Sequence, residues 1–508
     1  MIEIPLLLSL IASFFGFHTL VAPNNHPGNI VTSEALTNTI DGTNLMTHAE
    51  TLFSFAKNNG GSRAFGSQGH NETVDYIKSR LDATGYYDTQ LQTLQEFYSH
   101  GTASLSVDGQ AYNATWPLYS PGGHVTGPLV TVNNFGCRHR NYPEDMTGKI
   151  ALIRRGTCSA ALKVALARRL GAAGAIIYNN ATDSFTAVVS PTPMEKGPTI
   201  PSCGISGSDG QKLLAEIKAG KCVIGTLNVD AINENRFTRN VVATTKKGDR
   251  KNVIMVGGHT DSPIKSPGMN DNASGSMAIL EIALQLARFE VKNAVRFGFW
   301  AAGESGLAGT GYYLSSLSTD ERRDIALYLD VDMIASPNFG YFVYNGDGSR
   351  FNTSGFTNTQ YNVSGPLGSD WTERVFQDYY NAAGVITAPA NLLENTVLLL
   401  FGYCGIPISG IVSRPRHHKR EEEFNWWGGS AGTEYDPCSR KTCDDVQNLN
   451  VTAWVTNAKA VAHAVSTFAT SLDGIPRPQN ITRGIPSRRV SVLNTDAYQV
   501  HGYQVPLA

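Results

Sequence analysis

The amino-acid sequence predicts an α/β protein built on a mixed, largely parallel sheet flanked by helices. Four short apolar runs, "NVIMVGG", "AVRFGFWAAG", "IALYLDVDM" and "GIPISGIV", alternate with helical segments in the second half of the chain. Such nearly continuous runs are typical of strands covered by helices on both faces, which favours parallel pairing. The chain has 508 residues, beyond the size at which single cores stop growing, so we expect more than one domain.

The chain begins with an apolar run, "MIEIPLLLSLIASFFGFHTLVAP", which has the length of a secretory signal peptide ending near Ala22. No Lys or Arg precedes the apolar core, so a buried helix or a membrane anchor are the alternatives. N-x-Ser/Thr sequons, the acceptors of N-glycosylation, occur at Asn71, Asn113, Asn180, Asn272, Asn352, Asn362, Asn450 and Asn480. We therefore predict a secreted glycoprotein without a membrane anchor once the signal is removed, with the vacuole or another secretory compartment as the alternative.

The charge balance excludes one class of partner. The chain has 41 Lys and Arg against 43 Asp and Glu, a formal net charge of -2. Proteins that bind nucleic acid or anionic membranes through their overall field carry a clear positive excess, which this chain lacks. Hydrophobic residues make up 41% of the chain, as in an ordinary globular protein.

The seven cysteines suggest disulfide bonds. Cys438 and Cys443 in "CSRKTC" would close a small loop in a secreted chain. Four earlier cysteines could form two further bridges, with the pairing left open: Cys137, Cys158, Cys203 and Cys222. Cys404, inside the apolar "FGYCGIPISGIV", is expected to be a buried thiol.

The order of local patterns divides the chain. Residues 45–100 read as helix, helix and strand, with "NETVDYIKSRLDATGYY" as the clearest amphipathic helix. The local sequence pattern changes between Trp116 and Asn233, where "MTGKIALIRRGTCSAALKVALARRLGAAGAIIYNN" reads as strand, turn, Ala-rich helix and strand. We interpret this segment as a compact scaffold without catalytic residues. From Ser471 the chain is polar and rich in Pro and Gly, which predicts a surface tail.

Three predicted strands end in residues that bind metals. "GGHTDSPIKSPGMNDNASG" supplies His259, Asp261 and Asp271, "AAGESG" supplies Glu304, and "LDVDM" supplies Asp332. Sites in open α/β sheets form at the carboxyl ends of strands, and imidazole with carboxylates suits zinc. Asp261 is predicted to orient the imidazole of His259 without binding metal itself. A lone strand-end Asp more often caps a helix, so the metal interpretation depends on the whole set.

These motifs resemble those of the secreted and vacuolar di-zinc aminopeptidases, the family of leucine aminopeptidases and aminopeptidase Y-type enzymes. The resemblance is carried by "GGHTDS", "PGMNDNASG", "FWAAGESGLAGT", "YLDVDMIASPN" and "GGSAGTEYDPC". "KIALIRRGTC" and "GAAGAIIYNN" resemble an inserted, smaller β-rich protease-associated domain. The implied organisation is a signal peptide at 1–22, a zinc-peptidase domain at 23–115 and 234–470, the protease-associated domain at 116–233 and a polar tail at 471–508.

The resemblance also implies roles for single residues. His259 and Asp332 would hold one zinc, Asp271 would bridge two zincs, and Glu304 would belong to the second. The family motif has two adjacent glutamates, of which the first is the general base and the second a metal ligand. A gap-free alignment on Trp300 and its neighbours places Gly303 at the base position and Glu304 at the ligand position.

Two further departures affect the same site. The family has a Tyr-His pair directly after the cysteine that corresponds to Cys438, and here Ser439 and Arg440 stand in its place. A guanidinium cannot coordinate a cation. We predict that Arg440 replaces the second metal by pairing with Glu304 and in part with Asp271; the alternative is a solvated loop. The family's Gly-Arg-Ser-Asp stretch is replaced by Glu394, Asn395, Thr396 and Val397.

The sequence leaves two functions in competition. One is a secreted zinc aminopeptidase that removes N-terminal residues from peptides; the other is a non-catalytic pseudopeptidase that binds peptides or proteins. The three departures favour weak or absent catalysis with one zinc bound and the second site doubtful. "SRPRHHKREEE" is predicted to be a solvated loop, with two options left open: a substitute ligand from His417 or His418, or cleavage at Lys419-Arg420.

Overall fold

The computed structural model describes residues 28–183, 185–189, 199–346, 364–392 and 396–476. The predicted signal peptide and most of the predicted tail lie outside these residues. So do three sequons and the first two residues of the third departure: Asn352, Asn362, Asn480, Glu394 and Asn395.

The strands of the described residues form one mixed sheet. They are β1 Tyr87–Val107, β2 Gln110–Tyr112, β3 Gly123–Thr131, β4 Ile150–Arg154, β5 Gly174–Tyr178, β6 Ser202–Ile205, β7 Ile224–Thr245, β8 Asp249–His259, β9 Asn293–Trp300, β10 Ile325–Asp332, β11 Phe342–Tyr344, β12 Ala388–Ala390 and β13 Ile408–Val412. Their order is β12-β11-β13-β10-β8-β9-β7-β3-β4-β5-β6, with β1 paired to β7 and β2 to β1.

The helices lie along the chain before, between and after these strands. They are α1 Ser33–Thr37, α2 Gly42–Asn58, α3 Gln68–Ala83, α4 Ala160–Arg169, α5 Gly207–Lys218, α6 Gly275–Leu286, α7 Ala308–Ser316, α8 Thr319–Asp324, α9 Ser369–Ala382, α10 Thr396–Tyr403, α11 Glu421–Trp427 and α12 Val451–Thr470. The predicted amphipathic helix corresponds to α3, which begins three residues earlier. None of these helices combines the length and apolar content needed to cross a bilayer.

The centre of the sheet is parallel, as predicted. The strand β10 pairs in parallel with both β8 and β13, and β8 pairs in parallel with β9. The four apolar runs correspond to these four strands, whose residues are almost all buried. The edges are mixed, since β7 runs antiparallel to β9 and β11 antiparallel to β13. The prediction of a mixed, largely parallel sheet flanked by helices is confirmed.

The sheet continues into the segment predicted as an inserted scaffold. The strands β4 and β5 with α4 between them reproduce the predicted strand, turn, helix and strand, and two smaller apolar cores form here. The 22-residue strand β7 connects the two parts, because its start pairs with β3 and its end with β9. The predicted boundary at residues 233–234 therefore falls inside a continuous strand.

Two disulfide bonds are present. Cys438–Cys443 forms as expected, and Cys137 bonds to Cys158. The expectation of a second bridge among the four earlier cysteines is wrong: Cys203 is buried on β6 and Cys222 is exposed after α5, and both are free. Cys404 is a buried thiol, as predicted.

One predicted glycosylation acceptor is wrong. Asn272 is fully buried, and its side chain donates to the backbone oxygen of Val331 at 2.9 Å. An oligosaccharide on this side chain would displace the strand end, so Asn272 cannot serve as an acceptor in the folded chain. The sequons at Asn113 and Asn180 are exposed.

Candidate metal centre

Two neighbouring strands and one turn bring three metal-binding residues together. His259 ends β8 and Asp332 ends β10, and because these strands are parallel neighbours their carboxyl ends meet. Asp271 lies in the turn Met269–Ser274 that leads into α6. His259 Nε2 is 3.3 Å from Asp271 Oδ1 and 3.6 Å from Asp332 Oδ1, and one ligand atom from each residue lies within 4.8 Å of the others.

The donor set fits a divalent metal ion. Asp332 Oδ1 is buried and has no hydrogen-bond partner, which is costly for a carboxylate oxygen unless a cation neutralises it. His259 and Asp271 are buried as well. One imidazole and two carboxylates with room for a further ligand are a usual zinc set. The residues present therefore match one zinc ion.

Asp261 supports this cluster in two ways. Its backbone oxygen accepts a hydrogen bond from His259 Nδ1 at 3.0 Å, so Nδ1 carries a proton and Nε2, which faces the two carboxylates, is the nitrogen that would bind a metal ion. Its carboxylate lies 3.5 Å from Nδ1 and accepts hydrogen bonds from the backbone N–H groups of Gly303 at 2.8 Å and Glu304 at 3.3 Å. Asp261 thus orients the imidazole mainly through its carbonyl, whereas its carboxylate fixes the loop after β9.

A buried carboxylate fixes the backbone at Asp271. Asp444 accepts hydrogen bonds from the backbone N–H groups of Asn270 at 2.8 Å and Asp271 at 3.1 Å. The side chain of Asn448 bridges Asp444 and Asp436, so both ends of the Cys438–Cys443 loop are anchored beneath the cluster. Sequence analysis missed these residues; their only signal was the pair of acids flanking the cysteines in "DPCSRKTCD".

The other side of the cleft contains the predicted ion pair. Arg440 Nη2 lies 2.5 Å from Glu304 Oε2, so the expected contact is confirmed. The side chain of Glu304 is 12% exposed and that of Arg440 is 33% exposed. Burial raises the pKa of Glu304, the charge of Arg440 lowers it and that of Asp271 raises it, which together give about 7. Arg440 has φ of +63°, a left-handed conformation that directs its side chain toward this cleft.

Gly303 lies in close contact with His259 and leaves no room for a side chain. A Cβ atom placed on Gly303 would lie 2.4 Å from His259 Cβ and 2.6 Å from His259 Cγ. Real side chains do not approach so closely, so any residue other than glycine would displace the imidazole or the loop. The loop therefore packs directly against His259 at the position to which the family resemblance assigns the general base.

Arg416 is a charged residue near the cluster that sequence analysis did not single out. Burial and the like charge of Arg440 lower its pKa, whereas Asp271 and Glu304 raise it, which places its charge beside the cluster. Although burial raises the pKa of Asp271, the bond and charge of His259 with the charges of Arg440 and Arg416 lower it to about 2. Nothing in "SRPRHHKREEE" distinguished Arg416 from its charged neighbours.

The rest of that run is solvated only in part, because Lys419 and Glu423 are buried and its last three residues begin α11. His417 and His418 are exposed, and neither belongs to the metal cluster found among the described residues. Lys419 is buried, and its Nζ donates to the backbone oxygen of Gly428 at 2.7 Å. Cleavage at Lys419-Arg420 would require this lysine to leave the core, which argues against that option. Of the other substituted positions, Ser439 and Val397 are buried.

The fold and the cluster define a zinc-peptidase scaffold, and comparison with known proteins agrees. The sequence profile of peptidase family M28 matches residues 240–465, and the PA domain profile matches residues 125–213. The chain belongs to peptidase family M28.

Individual relatives show how close the match is. The chain is 44% identical to "Probable leucine aminopeptidase 2" of Aspergillus fumigatus over 83% of this chain and 82% of that protein. It is 38% identical to the protein of the same name in Aspergillus oryzae, over 94% and 92%. An aminopeptidase from Aneurinibacillus sp. strain AM-1 shares the fold with a TM-score of 0.65 at 24% identity, over 89% of this chain and 98% of that one.

Proposed function

We propose that this chain is a secreted, zinc-aminopeptidase-type peptide hydrolase that keeps one zinc site and has lost efficient catalysis. The observation that carries the proposal is the ion pair between Arg440 and Glu304, at 2.5 Å, where the family resemblance implies a second zinc. Membership of family M28 and relatives named leucine aminopeptidase support the substrate class, peptides with a free N-terminus.

The retained half of the site would hold the remaining zinc. His259, Asp271 and Asp332 would be its ligands, with the tautomer of His259 set by the carbonyl of Asp261. Zinc bound here would polarise a peptide carbonyl and lower the pKa of water. Asp444 keeps the backbone of Asp271 in place, so the cluster does not depend on a second ion for its shape.

Two contributions to catalysis are missing. Gly303 provides no group that could accept a proton from the attacking water, and loss of a general base costs about 10²- to 10⁴-fold in rate. Arg440 offers only donors, so Glu304 has a cation as its partner, and a second zinc would keep only Asp271 and Glu304 as ligands.

A second candidate function is binding of peptides or proteins without hydrolysis. Backbone strain at the cleft favours it: Ala302, Leu307 and Met333 all have positive φ although none is glycine. Such conformations are costly and persist where the surrounding structure holds them, typically at functional sites. A cleft that keeps this geometry after losing its base is suited to holding a ligand.

Metal analysis combined with an activity assay tests the proposal. We expect about one zinc per purified chain and hydrolysis of leucine p-nitroanilide about 10²- to 10⁴-fold slower than by the Aspergillus fumigatus relative, measured in parallel. Two zincs per chain with comparable turnover would refute the degenerate site. Calorimetry with leucine-initiated peptides then separates the two functions, because a pseudopeptidase binds them without releasing leucine.

Secretion is proposed on separate grounds. The apolar N-terminal run supports it, as do exposed sequons at Asn113 and Asn180. Expression in a eukaryotic secretion host should give a protein in the medium whose electrophoretic mobility increases after treatment with an N-glycosidase. Retention in the cell without a mobility change would contradict the proposal.

A further inference from the structure

A fully buried arginine lies inside the loop that joins two of the three cluster residues. Arg63, in the segment between α2 and α3, has no exposed surface. Residues 260–268 wrap around it, and this loop begins directly after His259 and ends three residues before Asp271. None of the hydrogen bonds that Arg63 makes to the described residues reaches a ligand atom of the cluster.

The guanidinium of Arg63 bonds to both ends of this loop. Its Nη1 donates to the carbonyl of Thr260 at 2.5 Å, and its Nη2 donates to the carbonyl of Gly268 at 2.8 Å. Its Nε donates to the carbonyl of Pro267 at 3.1 Å. One rigid, planar group therefore fixes the first residue of the loop relative to its last two.

The backbone of Arg63 adds two bonds to the middle of the same loop. Its N–H donates to Ser262 Oγ at 2.8 Å, and its carbonyl accepts from the N–H of Ser262 at 3.2 Å. Ser262 Oγ in turn donates to the carbonyl of Ser266 at 2.8 Å. Arg63 thus bonds to the loop through its side chain and through both of its backbone polar groups.

The charge of Arg63 is retained despite burial. Burial lowers its pKa to about 10, while Asp261, Asp444 and Asp271 raise it. The side chain remains protonated at neutral pH and adds a positive charge beneath a carboxylate-rich cluster. Lysine could not replace it, because an ammonium group lacks the planar fork that reaches three carbonyls at once.

We infer that Arg63 is a positioning residue that sets the spacing of His259 and Asp271 for metal binding. The inference rests on the proposed function, since it requires a metal ion at His259, Asp271 and Asp332. A residue that only stabilised the fold would affect unfolding without altering how the ligands meet the ion. Arg63 acts on the geometry of the ligands because its bonds are to the segment that separates them.

The test is a cobalt titration of the metal-depleted full chain, because the visible absorption of Co²⁺ reports its coordination geometry. For Arg63→Lys we expect cobalt to bind about 10- to 100-fold more weakly than in the wild type, with shifted absorption bands, as when an outer-shell partner is lost. The matched control is Arg296→Lys, since Arg296 on β9 bonds to the hydroxyls of Thr244 and Tyr313. This control is expected to lower the melting temperature and leave the cobalt spectrum unchanged.

A milder variant keeps the inference testable if Arg63→Lys does not fold. Ser262→Ala removes one bond to the backbone of Arg63 and one within the loop, and should weaken cobalt binding in the same direction by a smaller factor. Thr73→Val is its control, because the buried Thr73 hydroxyl bonds only within α3, to the carbonyl of Gly69.

The outcomes separate the inference from the proposed function. If the wild type binds cobalt and folded Arg63→Lys or Ser262→Ala binds it with the same affinity and spectrum, the role of Arg63 is overturned while the metal site stands. If the wild type binds neither zinc nor cobalt, the proposed metal site fails, and the positioning role of Arg63 fails with it.

Discussion

The two halves of the cleft differ in chemistry although they share one scaffold. One side has three metal-binding groups whose ligand atoms lie within 4.8 Å of one another: His259, Asp271 and Asp332. There the buried Oδ1 of Asp332 has no hydrogen-bond partner among the described residues. On the other side, Glu304 is paired with Arg440 and its neighbouring position is glycine. Both sides follow buried strands of the same sheet. The sheet thus preserves the shape of a metal cleft whether or not every side chain in it still binds metal.

The two halves are also mechanically connected. Asp261 contacts His259 through its carbonyl and the loop at Gly303 and Glu304 through its carboxylate. Gly303 lies against His259 so closely that no Cβ atom fits between them. A change in the half of Gly303, Glu304 and Arg440, which we propose to be degenerate, therefore affects the half of His259, Asp271 and Asp332, which we propose to be retained.

Removing a ligand from the retained half should have the largest effect. In His259→Ala the only imidazole of the cluster is lost, and we expect zinc affinity to fall by more than about 100-fold. Loss of a residue that merely hydrogen-bonds to a metal ligand already lowers metal affinity by about 10- to 100-fold. Zinc titration followed by calorimetry measures this. His417→Ala is the control, because His417 is exposed and outside the cluster. A comparable loss in the control would instead identify His417 as a substitute ligand.

Adding a side chain to the degenerate half should damage the retained half. Gly303→Ala places a Cβ atom 2.4 Å from His259 Cβ, so we expect zinc affinity to fall about 10-fold and stability to fall by about 1–3 kcal/mol. Calorimetry and urea unfolding measure the two effects. Gly122→Ala is the control, because the nearest atom to its added Cβ is 3.5 Å away.

The same contact predicts that Gly303→Glu will not restore a general base. Its carboxylate would enter the cleft only after the imidazole of His259 has moved, so zinc should be lost along with any gain of a base. Recovery of leucine p-nitroanilide hydrolysis by Gly303→Glu alone, with zinc retained, would show that the loop adapts and that the two halves are independent.

Restoring a ligand in the degenerate half should have an intermediate effect. Arg440→His releases Glu304 and supplies an imidazole, and histidine tolerates the left-handed backbone at this position better than most residues. We expect zinc content to rise from about one toward two per chain, with hydrolysis still slow because Gly303 provides no base. Elemental analysis beside Arg440→Gln, which removes the charge without adding a ligand, isolates the effect of the imidazole.

The sequence predicted that His259, Asp271 and Asp332 lie together, for a physical reason. His259 and Asp332 end parallel neighbouring strands, so recognising the strands was enough to bring their side chains together. The ion pair between Arg440 and Glu304 followed from the charge of the site, since a buried carboxylate without a metal ion needs another cation beside it.

Other features depend on the path of the chain and could not be predicted. The approach of Arg416 to the cluster depends on a loop whose charged composition is that of a solvated surface. The contact between Gly303 and His259 depends on the path of the loop after β9. Arg63 precedes the loop it holds by some 200 residues, and Asn272 looked like a glycosylation acceptor although it is buried.

The smallest effect, and the most direct measure of how the degenerate half is held together, is the coupling between Arg440 and Glu304. A double-mutant cycle of Arg440→Met and Glu304→Gln, measured by urea unfolding in the presence of EDTA, should give about 0.5–3 kcal/mol. The Lys78–Asp82 pair on α3 is the matched control, because its carboxylate is 47% exposed against 12% for Glu304 and such pairs contribute about 0.3–0.5 kcal/mol. The Arg440–Glu304 coupling should also persist at high salt, since burial limits screening. Coupling no larger than that of Lys78–Asp82 would mean that Arg440 is a solvated loop residue, and that Glu304 remains available to a second metal ion.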